Sequence, residues 1–246
     1  MKIRKSIPRN SGVGHDRIEW FDDSRRVRAT DVVDAASVSH VKPGAPARRP
    51  GKWRDQLASQ GHYWCAGTQS LIWHESMMEF TALMMLDHLF DIVAVYPQPM
   101  MLTFAEGRHH VPDYLVDTAQ GERILVDVHA EEMTTEEDVA LFGLTEALCS
   151  QVGWRYELID RISDITRWNL EMMARYNHPR YAPDDITRAR VIKLAQTHRT
   201  FGALRSALAT SRPGEHLPAL FHLMWNRAIR FDLQRPFTDH TALRVV

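Results

Sequence analysis

The run Arg123-Ile124-Leu125-Val126-Asp127-Val128 constrains the fold of this chain more than any other stretch. Its aliphatic residues follow one another without polar alternation, as in a central strand covered on both faces. A central strand needs neighbours, and the flanking sequence supplies them. Tyr114-Leu115-Val116-Asp117 reads as a strand before a turn at Gln120-Gly121, and Met100 to Phe104 as another before the turn Glu106-Gly107-Arg108. Ile92-Val93-Ala94-Val95-Tyr96 is a third short β-type run, ended by Pro97 and Pro99. Helical spacing of Met77, Met78, Phe80, Leu83, Met84, Leu86 and Leu89 predicts a helix from Ser76 to Leu89. Residues 134–151 read as a second helix, entered through the acids Glu136-Glu137-Asp138, and Trp154 to Ile159 as a final strand. Helix, strands, helix, strand is the order of a compact α/β domain.

Beyond Arg161 the pattern changes. Ile162–Tyr176, Ile186–Thr197, Phe201–Ala209 and Leu217–Trp225 read as helices, followed by short strands at 229–233 and 242–245. Short helices followed by a two-stranded hairpin outline a winged helix. Before the α/β domain, basic residues outnumber acids, and Lys42-Pro43-Gly44-Ala45-Pro46-Ala47-Arg48-Arg49-Pro50-Gly51 is too punctuated for a helix or central strand. Residues 1–55 are therefore expected to form a basic arm and linker, 56–161 the α/β domain, and 162–246 the helical domain. The full chain of 246 residues carries a net charge of −1, which excludes a uniformly basic nucleic-acid coat and leaves DNA contact to local patches. Two cysteines, Cys65 and Cys149, are too few for a disulfide scaffold or a Cys-rich zinc module. With no apolar run of the roughly 18 residues that span a bilayer and no signal-peptide core, a cytoplasmic protein is expected.

Four residues stand out chemically. Glu79 projects from the first helix, Asp113 follows Pro112 at a strand start, and Asp127 and His129 alternate on the central run. Alternation puts the last two on one face, about 6.5–7 Å apart along the backbone. Carboxylates that converge from rigid elements suit hard divalent cations, which activate water and clamp a scissile phosphate. Zinc ligation by His109 and His110 with His129 and Glu131 lacks metal-site spacing, so a turn with two solvated histidines is expected, or a phosphate contact. Glu75 reads as a surface acid at a helix start, able to assist Glu79.

Ser76-Met77-Met78-Glu79, Gln98-Pro99, Val111-Pro112-Asp113-Tyr114-Leu115-Val116 and Val126-Asp127-Val128-His129 together resemble the catalytic domain of TnsA-like transposon endonucleases, in the PD-(D/E)xK nuclease superfamily. Ile229–Val246, with Arg235-Pro236-Phe237, is similar to the end of that family's winged-helix-like second domain. The resemblance implies a restriction-endonuclease-like mixed sheet flanked by helices and followed by a winged-helix-like domain. It implies that Glu79, Asp113 and Asp127 hold Mg²⁺, with Mn²⁺ as substitute, and that His129 stands where the family usually has lysine. Residues 53–192 contain no lysine, so His129, Arg123 or Arg108 would have to supply that function. The implied activity is cleavage of one strand at transposon ends, beside a DDE transposase (TnsB-like) and an AAA+ ATPase regulator (TnsC-like), in the nucleoid. Histidine, with an ordinary pKa near 6.5, also motivates a second expectation: a catalytically inactive nuclease-fold subunit that binds DNA and assembles partners.

Overall fold

The structure, a computed structural model, describes residues 6–9, 14–48, 60–212 and 214–246. The chain is mixed α/β and divides into two compact units. The first comprises Met1–Tyr63, Leu71–Ala82 and Asp91–Arg161; the second comprises Trp64–Ser70, Leu83–Phe90 and Ile162–Val246.

In the first unit, β1 (Arg17–Phe21) and β2 (Val27–Asp31) pair antiparallel, with Arg17 opposite Asp31 and Phe21 opposite Val27. A short helix, α1 (Ala35–Val38), follows, capped by the Asp34 carboxylate accepting from Ser37 N–H. Residues 14–48 are thus folded, which corrects the expected arm and linker. The physical reason is that Ile18, Trp20 and Phe21 are almost wholly buried, a strand signal that the surrounding charges mask. The Pro/Gly punctuation reflects close backbone approach, since Gly44 N–H donates to Phe21 O at 2.7 Å. A Cβ at Gly44 would lie 2.3 Å from Asp23 N. The remainder of the expected arm, residues 1–5, 10–13 and 49–55, lies outside the described residues.

The strands β3 (Gly61–Cys65) and β4 (Ser70–His74) form a two-stranded sheet and lead into α2 (Met77–Leu89). Next come β5 (Ile92–Pro97), β6 (Met101–Thr103), β7 (His109–His110), β8 (Tyr114–Thr118) and β9 (Arg123–Val128). A capping box between Thr135 and Asp138 starts α3 (Glu136–Val152), and left-handed Gly153 ends it before β10 (Arg155–Ile159). One four-stranded sheet has the order β10-β9-β8-β5, with β10 parallel to β9 and the other pairs antiparallel. The other, β2-β1-β6-β7, is antiparallel throughout. Central position explains the uninterrupted apolar run in β9: Ile124, Leu125 and Val126 are each fully buried. Ile18 and Trp20 of β1, Leu115 of β8, Leu125 of β9, and Leu148, Cys149 and Val152 of α3 share one core. Each such large aliphatic side chain contributes roughly 1.5–3 kcal/mol by leaving water.

In the second unit, α4 (Asp164–Ala174), α5 (Asp185–Thr197), α6 (Phe201–Ala207) and α7 (Leu217–Trp225) precede β11 (Ile229–Arg230) and β12 (Arg244–Val245). The two strands pair antiparallel over two residues each, shorter than the expected 229–233 and 242–245. Phe231 and Phe237 leave the ladder to join Phe201 and Phe221 in an aromatic cluster, with centroids 4.6–6.2 Å apart. Asn169 of α4 fixes the intervening segment by donating to Leu233 O and Arg235 O, both at 2.9 Å. Among the described residues, no helix is long and apolar enough to cross a membrane.

Candidate active site

The strand start at Pro112-Asp113 owes its geometry to a missing donor. β8 pairs with β9 from Tyr114 opposite Val126. Asp113 N–H donates to Val126 O at 3.1 Å, but Pro112 has no N–H to extend the ladder. The Asp113 side chain instead takes up the next β9 donor, with Oδ2 accepting from Val128 N–H at 2.8 Å. Carrying the register on by one residue sets Asp113 against Asp127, and like charges so opposed repel.

Glu79 enters from the first turn of α2. Its N–H donates to Ser76 Oγ at 3.1 Å, while its Oε1 accepts from the Ser76 hydroxyl at 3.2 Å. Oε2 accepts from Glu75 N–H at 2.8 Å and from the Tyr114 hydroxyl at 3.0 Å. The Ser76-Met77-Met78-Glu79 spacing is therefore a helix-start motif as well as an acid carrier. Asp113 records the convergence of the three acids: burial, then the charges of Glu79 and Asp127, push its carboxyl up to about 8, against the opposing pull of Val128 N–H and Arg48. The Tyr114 and Tyr156 phenols are driven far above their ordinary range by burial and then by Glu79 and Asp127 respectively.

Asp127 is only 3% exposed, and its charge is compensated. His110 Nε2 donates to both carboxylate oxygens, at 2.8 and 2.9 Å, and the Tyr156 hydroxyl donates to Oδ2 at 2.7 Å. His109 and His110 are thus not a solvated turn. They form β7, and His109 Nδ1 lies 3.1 Å from Thr103 Oγ1. His129 follows β9 and continues its parallel ladder by donating from N–H to Ile159 O at 3.1 Å. Its ring packs edge-on against Phe142 of α3, with centroids 5.5 Å apart. Nε2 is buried without a hydrogen-bond partner, 3.7 Å from Asp138 Oδ2.

The two arginines expected as stand-ins for lysine are bound elsewhere. Arg123 pairs with Asp117 at 2.8 Å and donates to Val41 O, and Arg108 pairs with Glu106 at 3.0 Å. Sequence reasoning missed Arg48. Its guanidinium grips Glu75 through two bonds, at 2.7 and 3.3 Å, so Glu75 is an ion-pair partner and not a free surface acid. It also missed the setting of Gln98. That residue sits at a left-handed φ of +46°, donates from N–H to Asp113 O at 2.6 Å and accepts from Ala47 N–H at 2.8 Å. Its side-chain amide is buried with neither end partnered. The Gln98-Pro99 pair in the sequence was the available signal for that strain.

Glu79, Asp113 and Asp127 suit a hard divalent cation in donor type and charge, and the raised carboxyl of Asp113 is what such a cation would relieve. The oxygens of Glu79 and Asp127 are held by protein donors, and no three His, Cys, Asp or Glu side chains among the described residues are arranged as a ligand cage. Cys65 and Cys149 are buried free thiols, pushed up to about 11 and about 12 chiefly by burial. No protein-family model matches this chain, and no curated protein matches it.

Proposed function

We propose that this chain is a metal-dependent DNA endonuclease subunit of a cut-and-paste transposition system, cutting one strand at transposon ends. The observation that carries the reading is the convergence of Glu79, Asp113 and Asp127 from a helix start and strand ends, where burial and then the charges of Glu79 and Asp127 raise Asp113 to about 8. Carboxyls pushed up by burial and a specific charged neighbour cluster at functional sites. In this reading Glu79, Asp113 and Asp127 would hold Mg²⁺, which would supply an activated water and a counter-charge for the phosphodiester. The chain's own groups then have definable tasks. Val128 N–H fixes Asp113, Tyr114 and Glu75 N–H fix Glu79, and His110 and Tyr156 fix Asp127. The mixed β10-β9-β8-β5 sheet supports a restriction-endonuclease-like fold for the first unit, and the α4–α7 helices with the β11–β12 ladder support a winged-helix-like second unit. Double-stranded DNA, a DDE transposase, an AAA+ regulator and residence in the nucleoid complete the proposal.

Calorimetric titration of Mn²⁺ into wild type and Asp113→Asn, with a short duplex present, tests it. Binding by wild type alone is expected. Equal binding by both proteins, or none by either while the duplex stays bound, would sink the metal site. One observation favours a second reading, a non-catalytic DNA-binding subunit: His129 is engaged with Phe142 and lies near Asp138 on α3. His129→Lys separates the two, since gained strand cleavage marks a lapsed site and lost cleavage a working histidine.

A further inference from the structure

An acidic site that handles a phosphodiester needs a fixed positive charge as well as a metal, because the substrate brings more negative charge to carboxylates that already repel. With no lysine between residues 53 and 192, and Arg123 and Arg108 bound elsewhere, that charge has to come from outside the expected motif. Three backbones, at Ala47, Gln98 and Asp113, lie side by side, joined by Ala47 N–H to Gln98 O at 2.8 Å and Gln98 N–H to Asp113 O at 2.6 Å. The residue after Ala47 is Arg48. Glu75 holds its guanidinium in a two-bond pair, and Glu75 N–H in turn donates to the Glu79 carboxylate at 2.8 Å. Arg48 is therefore tied to Asp113 along one path and to Glu79 along another. Its side chain is 36% exposed, while that of Glu75 is 14% exposed, so the cation keeps access to solvent and the acid anchors it from beneath.

Resting on the nuclease reading, we infer that Arg48 is the site's phosphate-binding cation, contacting the DNA backbone beside Asp113, with Glu75 as its positioning residue. A planar guanidinium suits this task because one edge can stay on a carboxylate while the other meets phosphate oxygens. The assignment also accounts for the folded segment ahead of Arg48, which delivers a residue distant in sequence to the edge of the acidic site.

The test is duplex binding by fluorescence anisotropy over a salt series, in Ca²⁺, for wild type, Arg48→Ala, Arg48→Lys and Glu75→Gln, paired with single-turnover cleavage in Mn²⁺. Losing one phosphate contact lowers the slope of log Kd against log salt by about 0.9 and weakens binding roughly 5- to 10-fold at 0.1 M salt. Arg48→Ala is expected to do this, while Arg48→Lys and Glu75→Gln, which keep the cation, retain the wild-type slope. A wild-type slope in Arg48→Ala overturns the inference, whether or not wild type cleaves. Equal losses in Arg48→Ala and Glu75→Gln also overturn it, because the pair would then be structural. A reduced slope in Arg48→Ala upholds the phosphate contact even where wild type, without its partner subunits, is inert in Mn²⁺. Failure of wild type to bind the duplex removes both. Should Arg48→Ala not fold, Arg48→Gln takes its place.

Discussion

At the scale of single residues, Asp113 carries a stability signature independent of any activity. Its carboxyl is raised from the ordinary 3.8 to about 8, so the folded state favours the protonated form. That contribution is full below about pH 4 and is lost as pH rises through 8. Asp113→Asn, which keeps an acceptor for Val128 N–H, is therefore expected to melt several degrees above wild type at pH 8 and level with it at pH 4. Parallel melting temperatures across that range would mean that burial and the neighbouring acids do not raise the Asp113 carboxyl. Tyr156→Phe strips a donor from buried Asp127 and should lower stability by about 1–3 kcal/mol in urea unfolding. The acids themselves were legible in the sequence because Pro112-Asp113 and the Asp127-x-His129 alternation are local patterns. Their partners were not, because Tyr156, His110 and Arg48 reach the site from separate strands or segments, a relation that only the sheet order creates.

At the scale of elements, two glycines separate two kinds of cost. Gly153 ends α3 at φ +71° with open space around it, so Gly153→Ala pays only for the left-handed backbone, about 1 kcal/mol. Gly44→Ala drives a methyl against the Asp23 backbone and is expected to cost clearly more in the same urea titration. Equal costs would show that the Phe21–Gly44 approach relaxes freely. The long elements were readable: α2, α3, β8 and β9 follow helical or apolar patterns that hold over enough residues to be recognised. The strands β1 and β2 were not, because charged residues stand beside and between Ile18 and Trp20 in sequence and nothing local signals the pairing of β1 with β6.

At the scale of the whole molecule, the second unit carries an acid sensitivity distinct from that of Asp113. Buried His88 donates from Nδ1 to Trp225 O at 2.9 Å, and burial takes its pKa down from 6.5 to about 4. A depressed base stabilises above its ordinary pKa and ceases to do so as pH falls from 6.5 towards 4. Tryptophan fluorescence is expected to report loosening around Trp225 over that interval, and His88→Gln should flatten the transition; an unchanged acid profile would rule His88 out as its origin. The pairing of Arg17–Glu19 with Met101–Thr103 has a further consequence, for synthesis. At about 5–20 residues per second, a ribosome needs on the order of ten seconds to make the chain between those strands. An isolated two-stranded hairpin is marginal in water, so β1 and β2, with Trp20 and Phe21, wait that long without the strand that completes their sheet. The first unit is thus committed to a high contact order and slow closure, and its N-terminal hairpin is the segment a nascent-chain chaperone would meet.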